Sequence, residues 1–232
     1  MKREAETNIE TKASAKNRFD TKKITMLGMF VALSFAVTYL SHLTPAVFLP
    51  YLHLDFKDAL IVVCGFILGP LEALIVAVAS SLLELTISST GLIGLLMNVI
   101  SSCSFAVTAV LIYRRNRTMA MAIGSLVCGI VVQVGVMVFW NYIITPLYMP
   151  TITREDVLPL LLPAIIPFNA IKGFLNMALT LLIYSPIKKA LVKTKLIPEP
   201  QAASSIRFEC IFFSGLIIVT CVLILLIQNH II

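Results

Sequence analysis

The chain has 232 residues, of which 59% are hydrophobic and 13% are charged, and its formal net charge is +6. A soluble domain is expected to be about 45–50% apolar and about 25% charged. With a mean hydropathy of +0.96, this composition excludes an ordinary soluble domain and predicts an integral membrane protein. The positive charge does not indicate nucleic-acid binding, because the basic residues cluster at span ends, where they set topology.

The polar segment 1–23 carries many charges of both signs and is predicted to be a disordered cytoplasmic arm. It is too long and too mixed in charge for a cleaved signal peptide. The five cysteines lie in apolar runs and include no C-x-x-C pair. The sequence therefore predicts neither a metal site nor a disulfide framework.

Six apolar spans are predicted within residues 24–195, which gives an all-α membrane bundle of six helices. A linker at 196–207 and an additional transmembrane helix within 208–232 follow. Gly69-Pro70 predicts a tight turn between the second and third spans, since proline cannot continue a helix. The six spans run over about 24–43, 59–68, 70–85, 92–113, 119–148 and 158–184.

The distribution of basic residues predicts the topology. All of the 18 Lys and Arg residues except Lys57, Arg154 and Lys172 lie in segments 1–23, 114–117 and 188–207. The positive-inside rule places those three segments in the cytoplasm. Lys57 and Arg154 are then assigned to outer loops, and the C-terminus is expected outside.

The segment from Pro163 to Asn176 carries the most unusual residues of the chain. Asn169, Lys172 and Asn176 follow helical spacing and share one face. A lysine at bilayer depth costs about 2.5–3.5 kcal/mol, so it normally faces a partner, a cavity or a ligand. Lys172 lies roughly 20 Å from the span end, which is too far for simple snorkelling.

Further candidates for a polar site lie on the fourth and fifth spans. Asn98 shares a face with Ser101 and Ser102, but serines often bond back to their own helix, so Asn98 is the serious candidate. Asn141 is a carboxamide within an apolar span and needs partners. Its neighbour Tyr142 fits the interfacial aromatic belt.

Several charged or imidazole side chains have ordinary interpretations. Glu72 opens the third span, where a carboxylate suits a helix N-terminus. Glu84 lies close to an interface, and its role is ambiguous. His53 is interpreted as an interfacial histidine, because the distant His42 is its only potential metal-binding partner.

The first span has one face of small residues. Gly28, Ala32 and Ala36 recur every four residues, and such a face lets another helix approach closely. The alternatives are packing within the chain's own bundle and the general abundance of Ala and Gly in membrane helices.

Known catalytic signatures are missing from the sequence. It contains no G-x-x-x-x-G-K-[ST], H-E-x-x-H or G-x-S-x-G motif. No acid and base lie at close spacing, so the sequence favours binding over catalysis. Amide side chains both donate and accept hydrogen bonds, which suits a heteroaromatic or polyhydroxylated ligand.

Residues of about 20–195 resemble the substrate-binding S-components of energy-coupling factor (ECF) vitamin transporters, and the riboflavin-type members most closely. Each matching motif is short, but their order across six spans is specific. The motifs are Leu54-Asp55-Phe56-Lys57-Asp58, Gly65-Phe66-Ile67-Leu68-Gly69-Pro70, Ser89-Thr90-Gly91, Asn141-Tyr142, Pro146-Leu147-Tyr148 and Pro167-Phe168-Asn169-Ala170-Ile171-Lys172-Gly173.

The resemblance implies a six-helix bundle in a bacterial plasma membrane that binds a vitamin, here riboflavin, from outside. It also implies no enzymatic activity, no bound cofactor, a transmembrane coupling subunit and two cytoplasmic ATPases as partners. The small face of the first span resembles the family's docking surface. The implied ligand-binding residues are Asp55, Thr90, Asn98, Asn141, Tyr142, Asn169 and Lys172.

Three other functions stay open at this point. The ligand could be another vitamin or a flavin analogue bound by the same fold. The chain could also be an autonomous secondary transporter, which would need no ATPase. An intramembrane enzyme would show a pH dependence tied to Lys172 or Glu84.

Overall fold

The computed structural model describes residues 21–42, 53–88, 91–148, 154–197 and 214–222, and all regular structure within these ranges is helical. The membrane-capable helices among them cover Thr21–His42, Gly91–Tyr113, Met119–Pro146 and Val157–Lys193. The helices are α1 (Thr21–His42), α2 (Lys57–Ile67), α3 (Pro70–Glu84), α4 (Gly91–Tyr113), α5 (Met119–Tyr148), α6 (Arg154–Leu160), α7 (Ile166–Lys193) and the segment α8 (214–222).

Helices α2 and α3 form a short hairpin around the predicted Gly69-Pro70 turn. Gly69 has φ +139°, a backbone conformation that residues with a side chain rarely adopt. Pro70 lies in the first turn of α3. An 11-residue helix such as α2 spans only about 16 Å. It is therefore shorter than the hydrocarbon core of a bilayer, which is about 30 Å thick.

Helix α2 occupies the centre of the bundle. It packs against α1, α3, α4 and α7, and all its residues from Lys57 to Phe66 are buried. Gly65 permits the closest approach, because a Cβ there would overlap Val110 and lie 2.9 Å from Ala73. The N-terminal end of α2 consequently brings its charged residues into the interior.

The last of the six spans starts earlier than predicted. Helix α6 begins at Arg154, inside the predicted outer loop, and continues through a π-helical turn at Leu161–Ile165 into α7. Pro163 lies in that turn. Because proline lacks an N–H and its ring clashes with the carbonyl of residue i−4, a local widening of the helix accommodates it.

The C-terminal segment α8 packs on the bundle. Cys221 is buried in an apolar cluster with Leu54, Phe168, Ile171 and Leu175. The described part of the predicted additional helix therefore contacts the bundle. The count of six helices plus one stays a prediction, because 214–222 is the described part of 208–232.

Two predictions for the termini of the first span can be compared only in part. Helix α1 begins at Thr21, so its first turn includes the end of the segment predicted as a disordered arm. Residues 1–20 and 43–52, which contain the rest of the arm and most of the first loop, lie outside the described residues.

Candidate ligand-binding site

A cavity of about 160 Å³ opens between α1, α3, α4, α5 and α7. Tyr142 is not among its lining residues, and Thr90 lies outside the described residues. The predicted site residues that line the cavity are Asp55, Asn98, Asn141, Asn169 and Lys172. The tertiary structure therefore brings together side chains from four separate parts of the sequence.

The rest of the lining is largely apolar. Leu54 and Phe168 face Met97, Met137 and Ile144 around the cavity. Ligand sites are typically apolar with a few placed polar groups that fix orientation. The polar groups of the cavity are three amides, the Lys172 ammonium group, the carboxylates of Asp55 and Glu84, two imidazoles and several hydroxyls.

The amides of Asn141 and Asn169 are fixed by their own helices. Asn141 Nδ2 donates to the Met137 carbonyl at 2.8 Å, and Asn169 Nδ2 donates to the Ile165 carbonyl at 2.8 Å. Thr145 makes a longer contact of 3.4 Å with Asn141 Oδ1. In both asparagines the NH₂ group faces backbone, and the carbonyl oxygen is the more available group.

Lys172 is held between the cavity and a buried carboxylate. Its Nζ lies 3.4 Å from Asp58 Oδ2, and Asp58 has no exposed surface. Ser102 donates a hydrogen bond to the other oxygen of Asp58. Since 3.4 Å is long for a charge-assisted hydrogen bond, Lys172 retains donors for a ligand.

Lys57 is the centre of a second buried network. The sequence placed it in an outer loop, but its side chain is fully buried at the start of α2. Its Nζ lies 3.2 Å from Asp55 Oδ2 and also pairs with Glu84. Thr38 donates to Asp55 Oδ1 at 3.2 Å. A buried lysine requires such partners to compensate for the loss of hydration. The sequence alone did not identify them.

Glu84 was the residue that the sequence left ambiguous, and it connects four helices. Its carboxylate, at the end of α3, pairs with Lys57 of α2 and accepts a hydrogen bond from Asn98 of α4. His42 Nε2 of α1 lies 3.4 Å from its other oxygen. The signal available in the sequence was a carboxylate within an otherwise apolar span.

The two histidines lie together at the side of the cavity. The ring centroids of His42 and His53 are 5.2 Å apart. Within the described ranges, no group of three or more His, Cys, Asp or Glu side chains could hold a metal ion.

Two serines of α4 differ from the prediction that they bond to their own helix. Ser102 donates to Asp58, and Ser101 accepts from Gln133 Nε2 at 2.8 Å. Their partners lie on α2 and α5, so these hydroxyls connect helices. The local preference of serine is overridden because buried polar groups on neighbouring helices need partners.

Asn176 shares a helix face with Lys172, but it has a structural contact rather than a place in the cavity lining. Its Nδ2 donates to the carbonyls of Asp55 and Lys172, each at 2.9 Å. Its Oδ1 accepts from the Ala59 N–H at 2.9 Å. The side chain thereby joins α7 to the N-terminal end of α2.

The small face of α1 is directed away from the bundle. Gly28, Ala32 and Ala36 are all exposed, and a Cβ at Gly28 would meet nothing within 4 Å. Packing within the described bundle, one of the alternatives from the sequence, therefore does not account for these small residues.

Residues 22–184 match the protein family described as ECF transporter, substrate-specific component. The chain is 31% identical over 174 residues to the riboflavin transporter RibU of Staphylococcus aureus, covering 72% of this chain and 91% of that protein. It is 29% identical to the riboflavin transporter FmnP of Bacillus subtilis, over 72% of this chain and 92% of that protein.

A solved structure agrees with these relatives. The S component of a bacterial ECF transporter superposes with a TM-score of 0.63 at 31% sequence identity, covering 74% of this chain and 98% of that chain. This chain therefore belongs to the substrate-specific components of ECF transporters.

Proposed function

We propose that this chain is the riboflavin-binding membrane subunit of an ECF-type importer. The observation that carries the proposal is the cavity in which Asn141, Asn169 and Lys172 converge between apolar walls. Relatives named as riboflavin transporters support the choice of ligand. An uncharged ring system with amide and hydroxyl groups matches these walls, since apolar faces bury the ring and polar groups fix its orientation.

The proposed binding residues are the five predicted residues that line the cavity, together with Thr90 and Tyr142. Lys172 donates to the ligand, and the amides of Asn98, Asn141 and Asn169 fix its orientation. Asp55 supports Lys57 at the edge of the cavity. Thr90 and Tyr142 complete the set on the basis of the family resemblance alone.

The energy for transport comes from partner subunits in this proposal. A transmembrane coupling subunit docks on the exposed face of Gly28, Ala32 and Ala36, and two cytoplasmic ATPases drive the cycle. Small residues on both sides let two helices approach closely in a membrane. The chain itself acts as a binding subunit without enzymatic activity or a bound cofactor.

The proposed orientation places the N-terminus in the cytoplasm of a bacterial cell. The basic residues at 114–117 and 188–195 then lie on the cytoplasmic side, in accordance with the positive-inside rule. The cavity opens at the opposite end of the bundle, and α8 is part of an additional span that ends outside.

The test is a titration of the detergent-purified protein with riboflavin, following the quenching of flavin fluorescence. Saturable one-to-one binding, or a yellow preparation that already contains flavin, is the expected result. A colourless protein that does not bind riboflavin would contradict the proposed ligand and favour another vitamin. Uptake into vesicles that contain this chain without ATPases would contradict the partners instead.

A further inference from the structure

The Glu84 carboxylate is a polar group of the cavity wall that neither the family resemblance nor the relatives assign to the ligand. It lines the cavity beside Asn98 and accepts a hydrogen bond from the Asn98 NH₂ group. We infer that Glu84 is a positioning residue that holds Asn98 with its carbonyl oxygen, rather than its NH₂ group, offered to the ligand. This inference rests on the proposed function.

The chemistry of the partners fixes the orientation of the amide. A carboxylate that is paired with an ammonium group can only accept hydrogen bonds, and Lys57 supplies that ammonium group. The Asn98 group that faces Glu84 must therefore be the NH₂ group. The assignment does not depend on distinguishing nitrogen from oxygen in the amide, because the reversed amide would place two acceptors together.

Asn98 differs from the other two asparagines of the cavity in what holds it. Asn141 and Asn169 donate to carbonyls of their own helices, which any helix would supply. The partner of Asn98 is a side chain from another helix. Glu84 can serve because Lys57 of α2 and His42 of α1 hold it in turn.

The three amides consequently act alike toward a ligand. Each donates an N–H to the protein, and in the proposal each offers its carbonyl oxygen to the ligand, with the Asn141 oxygen also 3.4 Å from the Thr145 hydroxyl. A wall with three such acceptors favours ligands with hydrogen-bond donors, such as an imide N–H or hydroxyl groups. Glu84 thereby contributes to specificity through the orientation of Asn98.

A double-mutant cycle tests whether Glu84 acts through Asn98. The variants are Glu84→Gln, Asn98→Ala and their combination, each titrated with riboflavin in detergent. Glutamine has nearly the same shape but can donate or accept, so Asn98 could adopt both orientations. We expect Glu84→Gln to weaken binding about tenfold in the otherwise unchanged chain and less than about twofold when Asn98 is alanine.

Glu72→Gln is the matched control, because Glu72 is a buried carboxylate at the other end of the same helix, paired with Lys23. It should leave riboflavin binding unchanged. The positioning role would be overturned if Glu84→Gln reduced riboflavin affinity equally in the Asn98 and Asn98→Ala backgrounds, or in neither. The proposed function would remain intact in both cases. An unaltered chain that does not bind riboflavin would overturn both.

Discussion

The buried ionic side chains in the described residues form ion pairs. Lys172 faces Asp58, and Lys57 faces Asp55 and Glu84. Taking one ion out of water costs several kcal/mol, so these charges are tolerable only together. In the proposed function, this pairing means that Lys172 would offer a ligand directed hydrogen-bond donors rather than an unbalanced charge.

We predict that Lys172→Ala weakens riboflavin binding about ten- to a hundredfold, because hydrogen bonds from charged groups contribute about 1.5–3 kcal/mol. It should also destabilise the fold, since the buried Asp58 carboxylate loses the ammonium group that lies 3.4 Å from it. Fluorescence titration and thermal unfolding in detergent measure the two effects.

A second variant separates binding from stability for this lysine. Adding Asp58→Asn to Lys172→Ala removes the unpaired carboxylate and should restore stability without restoring binding. Lys189→Ala, at the exposed end of the same helix, is the control and should change neither. Recovery of binding in the double variant would contradict a direct role for Lys172.

The helices are arranged around the short helix α2, which packs against α1, α3, α4 and α7. Helix α2 is buried along its whole length from Lys57 to Phe66, and Asn176 of α7 bonds to the backbone at its start. This position explains why its N-terminal end carries charged residues. They pair with side chains of the surrounding helices and hold the cavity wall in place.

The close approach of α2 to α4 predicts that Gly65→Ala destabilises the protein. An added Cβ would overlap Val110, and overpacking of a core typically costs about 1–3 kcal/mol. The unfolding temperature in detergent should fall. Gly124→Ala is the control, because a Cβ at Gly124 meets nothing within 4 Å. A Gly65→Ala protein as stable as the control would show that α2 can move aside.

At the scale of the whole molecule, the cavity and the exposed small face of α1 are separate surfaces. The cavity lining includes no residue of α1 before Ser41, whereas the small face extends from Gly28 to Ala36. Ligand binding and subunit docking are therefore expected to respond independently to substitution.

Gly28→Leu or Ala32→Leu should leave riboflavin binding unchanged and abolish uptake in cells, because a bulky side chain prevents close approach of a partner helix. Uptake of labelled riboflavin and binding in detergent are compared for the same variants. Gly135→Leu places the same bulk at an exposed site on α5 and should transport normally. Normal uptake by both α1 variants would rule out docking on this face.

The C-terminal helix leads to a prediction of its own. Cys221 packs with Leu54 and Phe168, and both of these residues also line the cavity. Removal of residues 208–232 should loosen this wall and speed the release of riboflavin. Stopped-flow measurement of dissociation compares the shortened and full chains. Unchanged release, with unchanged stability, would show that α8 serves only as an anchor.

The sequence by itself determined that the protein crosses a membrane, where most helices begin and end, and which amides and lysine interrupt the apolar spans. These follow from hydropathy and from backbone rules such as those at Gly69-Pro70. The family resemblance added the association of Asn141, Asn169 and Lys172 in one ligand site. All three line one cavity, and their role in ligand binding stays a prediction.

Only the tertiary structure decided which polar side chains are partners. Lys57 was placed in a loop and Glu84 was left ambiguous. Hydropathy along the chain does not reveal pairing between residues 27 positions apart on different helices. The serines of α4 likewise found partners on α2 and α5 rather than on their own helix. In a membrane bundle each buried polar group must be satisfied within the protein, so its role depends on the helix packed against it.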